Sequence, residues 1–253
     1  NMIIARNDFA GAGTQTAALG FGGFTTVNTT ATEEYNSGTW SAAPSNMIIA
    51  RRALEGAGTQ TAALAFGGQT GTDTTATEEY NSGTWSNAPS NMIIARRALE
   101  GAGTQTSALA FGGQTGTDTT ATEEYNSGTW SNAPSNMILA RRLLGGAGTQ
   151  TAALAIGGFT GANTAATEEY NSGTWSTGGN MIIARRVLAG AGTQTAALAF
   201  GGFIGAQTAA TEEYNSGTWS NAPSNMIIAR YALAGAGDQT AALAFGGTAA
   251  ANT

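Results

Sequence analysis

At 253 residues, with 10 Lys or Arg against 16 Asp or Glu, the chain carries a net charge of -6, and it contains neither Cys nor His. The missing Cys excludes disulfides, thiolate chemistry and soft-metal sites. Every cation is an Arg at a repeated position, so the concentrated basic surface that grips nucleic acid is not expected, and no apolar run approaches the ~20 residues needed to span a bilayer.

The chain is a repeat. Copies of one unit begin at Asn1, Asn46, Asn91, Asn136, Asn180 and Asn225, a spacing of 45 residues apart from one step of 44. The units cover 1–45, 46–90, 91–135, 136–179 and 180–224, with a partial unit at 225–253. They are expected to form one domain, because no unit alone could bury a core. The second and third copies differ only at Ala62 against Ser107, which marks duplication of a module. A period of roughly 20 to 50 residues implies a solenoid, a propeller or a string of beads. Nothing at the start resembles a secretory leader, but the chain opens inside the repeat pattern, which leaves a start further upstream open.

In the unit 46–90 the first stretch is MIIARRAL, a short apolar run that does not decide between helix and strand. Residues 52–58, RALEGAG, read as extended and small apart from Leu54 and Glu55, which suits a strand packed where space is tightest. The GAGTQT that overlaps its end is an inter-strand turn. A phosphate loop would need a Lys after the glycines and a helix to supply its N-terminal dipole. In TAALAFGG, residues 61–68, alternation puts Leu64 and Phe66 on one face and Ala63 and Ala65 on the other, so both faces should be covered. Gly67 and Gly68 end that strand, and QTGTDTT is a turn. In ATEEYN, Glu78 and Tyr80 share one face and Thr77 and Glu79 the other. Asn81, Ser82 and Gly83 make a tight turn into Thr84, Trp85 and Ser86, completing an antiparallel hairpin. Four short strands per unit is the arithmetic of a propeller blade, and propellers close with roughly four to eight blades. Solenoid coils are usually shorter.

Most charge sits in recurring Arg-Arg and Glu-Glu pairs, as at Arg96, Arg97, Glu123 and Glu124. Buried charge seldom stays unpaired, so these groups are expected to meet within or between units; the other reading is an acidic ring for a cation or a sugar. Tyr125 and Trp130 are expected to pack between units with their polar tips bonded, whereas exposed they would be sugar-stacking platforms. Asp118, one carboxylate among hydroxyls in TGTDT, falls short of a Ca²⁺ ligand set. No metal, cofactor or catalytic residue is assigned. Nearly identical modules repeat the same groups around an axis, whereas catalysis needs unlike groups at one point. The adjacent glutamates lie on opposite faces of a strand, unlike the facing carboxylates of a glycosidase. No enzyme activity is therefore expected.

The copies differ most in the turn after the Gly-Gly pair: FTTVNTT at 24–30, QTGTDTT in the second and third copies, FTGANTA at 159–165 and FIGAQTA at 203–209. Such loops share one rim of a propeller, and they vary either to meet partners or by drift at tolerant tips. The candidate binding residues are Phe24, Asn28, Gln69, Asp73, Gln114, Asp118, Phe159, Asn163, Phe203 and Gln207. Repeated weak contacts from similar loops would give avidity on a surface that displays many copies of a glycan.

The order Arg97, Gly112-Gly113, Tyr125, Trp130, with equivalents in every complete copy, resembles the kelch repeat of β-propellers. The interval from Tyr to Trp is shorter than in the common kelch pattern. NSGTW at 126–130 is also similar to the Asp-box turn of sialidase propellers, with Asn at the acidic position and a short spacing, and that turn is structural. The wording GAGTQTAALAFGG followed by ATEEYNSGTW resembles kelch-like arrays in tail fibre and other virion proteins of marine bacteriophages, especially cyanophages. These resemblances imply an all-β, kelch-like propeller of about six four-stranded blades, the sixth only half encoded. The copper-radical chemistry of some kelch propellers would find no His or Cys ligands here. The expected role is a non-enzymatic virion module that presents rim loops to a host cell-surface glycan or protein, or to other virion proteins, with homo-oligomers possible. The alternative is a cellular kelch-type scaffold, extracellular or cytoplasmic, that binds a protein partner.

Overall fold

The computed structural model describes residues 1–249, in which 24 strands and no helix are found. Five units each fold into an antiparallel sheet whose strands pair in chain order. The first holds β1 (Ala10–Gly13), β2 (Ala17–Phe21), β3 (Thr32–Asn36) and β4 (Thr39–Ala42). The second holds β5 (Glu55–Gly58), β6 (Ala62–Phe66), β7 (Thr77–Asn81) and β8 (Thr84–Asn87), and the third β9 (Glu100–Gly103), β10 (Ser107–Phe111), β11 (Thr122–Asn126) and β12 (Thr129–Asn132). The fourth holds β13 (Gly145–Gly148), β14 (Ala152–Ile156), β15 (Thr167–Asn171) and β16 (Thr174–Thr177), and the fifth β17 (Ala189–Gly192), β18 (Ala196–Phe200), β19 (Thr211–Asn215) and β20 (Thr218–Asn221). Beyond these, β21 (Arg230–Tyr231) pairs with β24 (Thr248–Ala249), and β22 (Ala234–Gly237) pairs with β23 (Ala242–Phe245).

The first strand of each sheet packs on that of the next, from β1 through β5, β9, β13 and β17 to β22, and β22 returns to β1. The result is a β-propeller of five four-stranded blades whose ring of inner strands is completed by the two-stranded β22–β23 sheet. Residues 250–253, the end of the partial unit, lie outside the described residues.

The inner strands lie close because they are made of Gly and Ala. A Cβ on Gly56 would sit 2.5 Å from Cζ of Phe21, and one on Gly101 would sit 2.6 Å from Cζ of Phe66. Phe21, Phe66, Phe200 and Phe245, each at the end of a second strand, thus fill the space over a glycine of the next unit around the ring. The second strands are covered on both faces as their pattern predicts: Ala63, Leu64, Ala65 and Phe66 are fully buried. Neighbouring sheets are joined by aromatic side chains. Trp85 packs edge-on against Phe21 with centroids 5.1 Å apart, and its Nε1–H donates to Thr32 Oγ1 at 3.0 Å. The Tyr80 hydroxyl donates to Glu34 at 2.6 Å, and Gln60 Nε2 donates to the Tyr35 carbonyl at 2.7 Å. Tyr125 and Trp130 bond Glu79 and Thr77 in the same way, as expected of groups buried between units.

MIIARRAL resolves as neither helix nor strand. Its backbone donors are taken one by one: Met47 N–H bonds the Thr30 carbonyl at 2.9 Å, and Ile48 N–H bonds a Glu78 carboxylate oxygen at 2.6 Å. Met47 is buried, Ile48 exposed and Arg51 fully buried. The extended run of residues 52–58 is also broken, because Ala53 has φ of 50° and the strand starts only at Glu55. Asp8, Ala98, Leu143, Val187 and Ala232 repeat that left-handed geometry. From Ala53 onward each donates its N–H to the carbonyl of its counterpart one unit back, at 2.7 to 3.0 Å. A circumferential chain of backbone bonds therefore offsets part of a strain of roughly 1–3 kcal/mol per residue.

Candidate functional site

The turns after the Gly-Gly pairs share one backbone frame. In each, the first residue bridges the fifth: Phe24 to Asn28, Gln69 to Asp73, Gln114 to Asp118, Phe159 to Asn163 and Phe203 to Gln207. The first residue also bridges the connecting segment, at Asn7, Arg52, Arg97, Arg142 and Arg186 in turn. The frame is constant while the side chains vary, because these contacts use backbone atoms and the glycines at the strand end permit the reversal. Gly67 and Gly68 have φ of 64° and 96°, which L side chains adopt only under strain.

Arginine ties one turn to the next. Arg97 donates to Asp73 of the preceding turn at 2.6 Å and to Gln114 of its own turn at 3.0 Å. Arg142 pairs with Asp118 and lies over the Phe159 ring, 4.8 Å from its centroid. Arg186 donates to Asn163 at 2.8 Å and stacks between the rings of Phe159 and Phe203. Arg52 lies over Phe24 at 4.6 Å and reaches Gln69 Oε1 only at 3.4 Å, while Asn28 bonds the Gln69 carbonyl at 3.0 Å. The ten candidate residues are therefore half-buried anchors, brought together as successive inter-turn clusters and not as one pocket. Gln207 meets Phe203 through the backbone only, and there Tyr231 stands edge-on against the Phe203 ring in the place an Arg holds elsewhere.

A cleft on this rim lies between the first and second turns. Its volume is about 490 Å³, and Phe24, Val27, Asn28, Arg52, Gln69 and Thr70 line it. Here Asn28 stands where Asp73 and Asp118 pair with Arg97 and Arg142, so among the described residues Arg52 forms no ion pair with a turn, and the charge that acts on it is that of Asp8. Sequence reasoning missed two further features of this face. The tips of the turns, Val27 and Ile204, are exposed, and so are Ile3, Ile48, Ile93, Ile138, Ile182 and Ile227 in the connecting segments, joined in three of the units by Ile4, Leu139 and Ile228. The recurring second apolar residue of NMII was the available signal, since a lone Met already fills the core at that place.

The Arg and Glu pairs divide their work. The first Arg of each pair is buried against the first Glu: Arg96 and Glu123 approach to 3.0 Å with both side chains fully enclosed. Arg96 also donates to the carbonyls of Ala110, Gly112 and Ala121. Burial lowers Arg96 to about 10 even though Glu123 pulls the other way, so it stays charged at neutral pH. The second Glu receives the next unit's Tyr, and burial with that bond raises the Tyr125 hydroxyl well above its ordinary range.

Glu55 and Glu100 were passed over as exceptions in a strand of small residues. They stand at equivalent places on β5 and β9, facing the axis, where the other inner strands have Ala10, Gly145, Ala189 and Ala234. Both line the narrow axial channel, whose two ends hold about 100 and 130 Å³. Each leans over a glycine of the next strand: a Cβ on Gly101 would lie 3.0 Å from Cγ of Glu55, and one on Gly146 2.5 Å from Cγ of Glu100. Burial pushes Glu55 up to about 8, against the bond it accepts from Gly56 N–H. Burial and the neighbouring Glu55 charge push Glu100 well above the usual carboxylate range. Among the described residues no group of three or more His, Cys, Asp or Glu is placed to hold a metal ion.

No protein-family model matches the chain, and no curated protein matches it significantly.

Proposed function

We propose that the chain is a non-enzymatic attachment module, a kelch-type propeller of a phage virion that presents its turn-bearing rim to a host cell-surface glycan or protein. The observation that carries this reading is the rim itself: five turns on one backbone frame carrying four different sets of side chains, with an open cleft in which Phe24 and Arg52 offer an aromatic ring and a cation. An aromatic ring beside a guanidinium suits a sugar bearing an acidic substituent, through stacking and a charge-assisted hydrogen bond. The ring of exposed isoleucines around the same face adds repeated apolar contact, and surface apolar groups in a regular array mark interaction sites. The assignment to a virion rests on the resemblance of the repeats to marine phage arrays; a cellular scaffold for a protein partner is the second reading, and the isoleucine ring is what favours it.

The test is binding of fluorescently labelled protein to a panel of marine bacterial cells, before and after their surface polysaccharide is stripped. Saturable binding that is lost on stripping, and weakened about tenfold or more by Arg52→Ala at the cleft, is expected for glycan attachment. Binding that survives stripping turns the reading to a protein receptor. A folded protein that binds no cell overturns the attachment role.

A further inference from the structure

The five rim turns differ at the residue that sets the charge of each junction. The fifth residue of the turn is Asn28, Asp73, Asp118, Asn163 and Gln207 in order. Where it is Asp, the arginine of the following connecting segment is neutralised: Arg97 pairs with Asp73 and Arg142 with Asp118. Where it is Asn, that arginine is Arg52 or Arg186, and among the described residues neither forms an ion pair. After Gln207 the same place holds Tyr231.

The two Asn junctions share one build. Asn28 Nδ2 donates to the Gln69 carbonyl at 3.0 Å, and Asn163 Nδ2 to the Phe203 carbonyl at 2.9 Å. Arg52 lies over the Phe24 ring at 4.6 Å and Arg186 over the Phe159 ring at 4.9 Å, in each case the first residue of the preceding turn. Arg186 is the more firmly held, because Phe203 adds a second ring at 4.7 Å and Asn163 Oδ1 accepts from its Nη1 at 2.8 Å. Its Nε and Nη2 have no partner among the described residues, so one edge of the guanidinium is free for the two parallel bonds that a carboxylate accepts. The rings fix that edge in advance, which lowers the ordering cost of binding. Asp8, whose charge acts on Arg52, has Leu143 as its counterpart at the Arg186 junction.

The ring of inner strands closes in six steps. Arg52 belongs to the step from the first unit to the second, and Arg186 to the step from the fourth to the fifth. Three steps are half the ring, so the two cations stand on opposite sides of one rim.

We propose that Arg186, with Phe159, Phe203 and Asn163, is a second site for an acidic sugar, and that the ligand of the rim is a polymer with repeated carboxylates. The proposal rests on the attachment reading and deepens it. The carboxylate is held by Nε and Nη2, and the exposed Ile204 beside Phe203 offers apolar contact to the sugar ring. Two weak sites half a turn apart give avidity only to a ligand long enough to reach both.

The experiment follows the arginine Nε–H signals of the whole chain by NMR, assigned with Arg52→Gln and Arg186→Gln, during titration with sodium glucuronate, methyl glucoside or sodium chloride. The Arg186 signal is expected to shift saturably with glucuronate alone, as the Arg52 signal does, while those of Arg97 and Arg142 stay in place. Asn163→Asp installs the carboxylate that two other junctions already carry, so the fold should hold. It is expected to weaken the Arg186 response about tenfold or more and to leave that of Arg52. A polyuronate chain should bind the unaltered protein at least about tenfold more tightly than glucuronate does, and Asn163→Asp should remove most of that difference. An Arg186 signal that stays still, responds equally to chloride or ignores Asn163→Asp overturns the second site; if Arg52 still responds, the attachment reading stands. Silence at both arginines removes the acidic sugar from the whole rim, and cell binding then judges attachment separately. Polyuronate that binds no tighter than glucuronate overturns the polymeric ligand.

Discussion

Two glutamates on the channel wall make the inner strands respond to pH. Glu55 is raised from about 4.5 to about 8 by burial, and Glu100 further by its neighbour. In the unfolded chain both would ionise near pH 4.5, so between that value and 8 folding holds protons that solvent would otherwise take. Their stabilising contribution is complete below about pH 4.5 and is lost as pH rises through the folded value. Each group gives a slope of up to about 1.4 kcal/mol per pH unit. The double variant Glu55→Gln, Glu100→Gln is expected to remove most of the fall in urea midpoint between pH 5 and pH 8 and to be the more stable protein at pH 8. An unchanged pH profile would mean that channel water solvates both carboxylates. This pair was legible in the sequence only as an irregularity, two acidic residues at a place where four other copies have Ala or Gly. Nothing in a single strand says that its face looks onto an axis.

At the level of the element, the fit of Phe over Gly sets the distance between units. Gly101→Ala would push a methyl group to 2.6 Å from Cζ of Phe66 and 3.2 Å from the Gly56 carbonyl oxygen, both in a packed core. A loss of about 1–3 kcal/mol is expected in denaturant unfolding, and Phe66→Leu in the same chain should recover part of it. The strands were legible because their patterns are local: alternation in TAALAF, the Gly-Gly stop and the NSG turn each act within a few residues. The connection 43–54 was not, because its order comes from a distance. Glu78 holds the Ile48 N–H from 30 residues away, and the turn of Ala53 is fixed by the carbonyl of Asp8 one unit back. Apart from Asp8, the left-handed positions of this connection hold Ala, Leu and Val, types that carry no turn signal. The rim residues were legible as variable, yet the sequence hid that Gln69, Phe159 and Phe203 are anchors while the exposed contact falls to Val27, Ile204 and the isoleucines.

For the molecule as a whole, the two-stranded β22–β23 sheet is the weak sector of the ring. In β6, amides on both edges are bonded, to β5 and to β7, whereas among the described residues β23 bonds only β22. Leu243 and Ala244 are half-buried where Leu64 and Ala65 are fully enclosed. Native-state hydrogen exchange is therefore expected to open β22–β23 first, with amides of β23 at least about tenfold less protected than those of β6. Uniform protection around the ring would show that unfolding is all-or-none. The contacts between sheets carry a consequence for how such a molecule can arise. Every complete unit brings both halves of the same junction: Tyr and Trp to reach back, Thr and Glu to receive from the next. A newly copied unit thus matches either neighbour from its first appearance, and growth by duplication needs no later mutation to make the new surfaces compatible. The near identity of the second and third units is what such inheritance leaves behind.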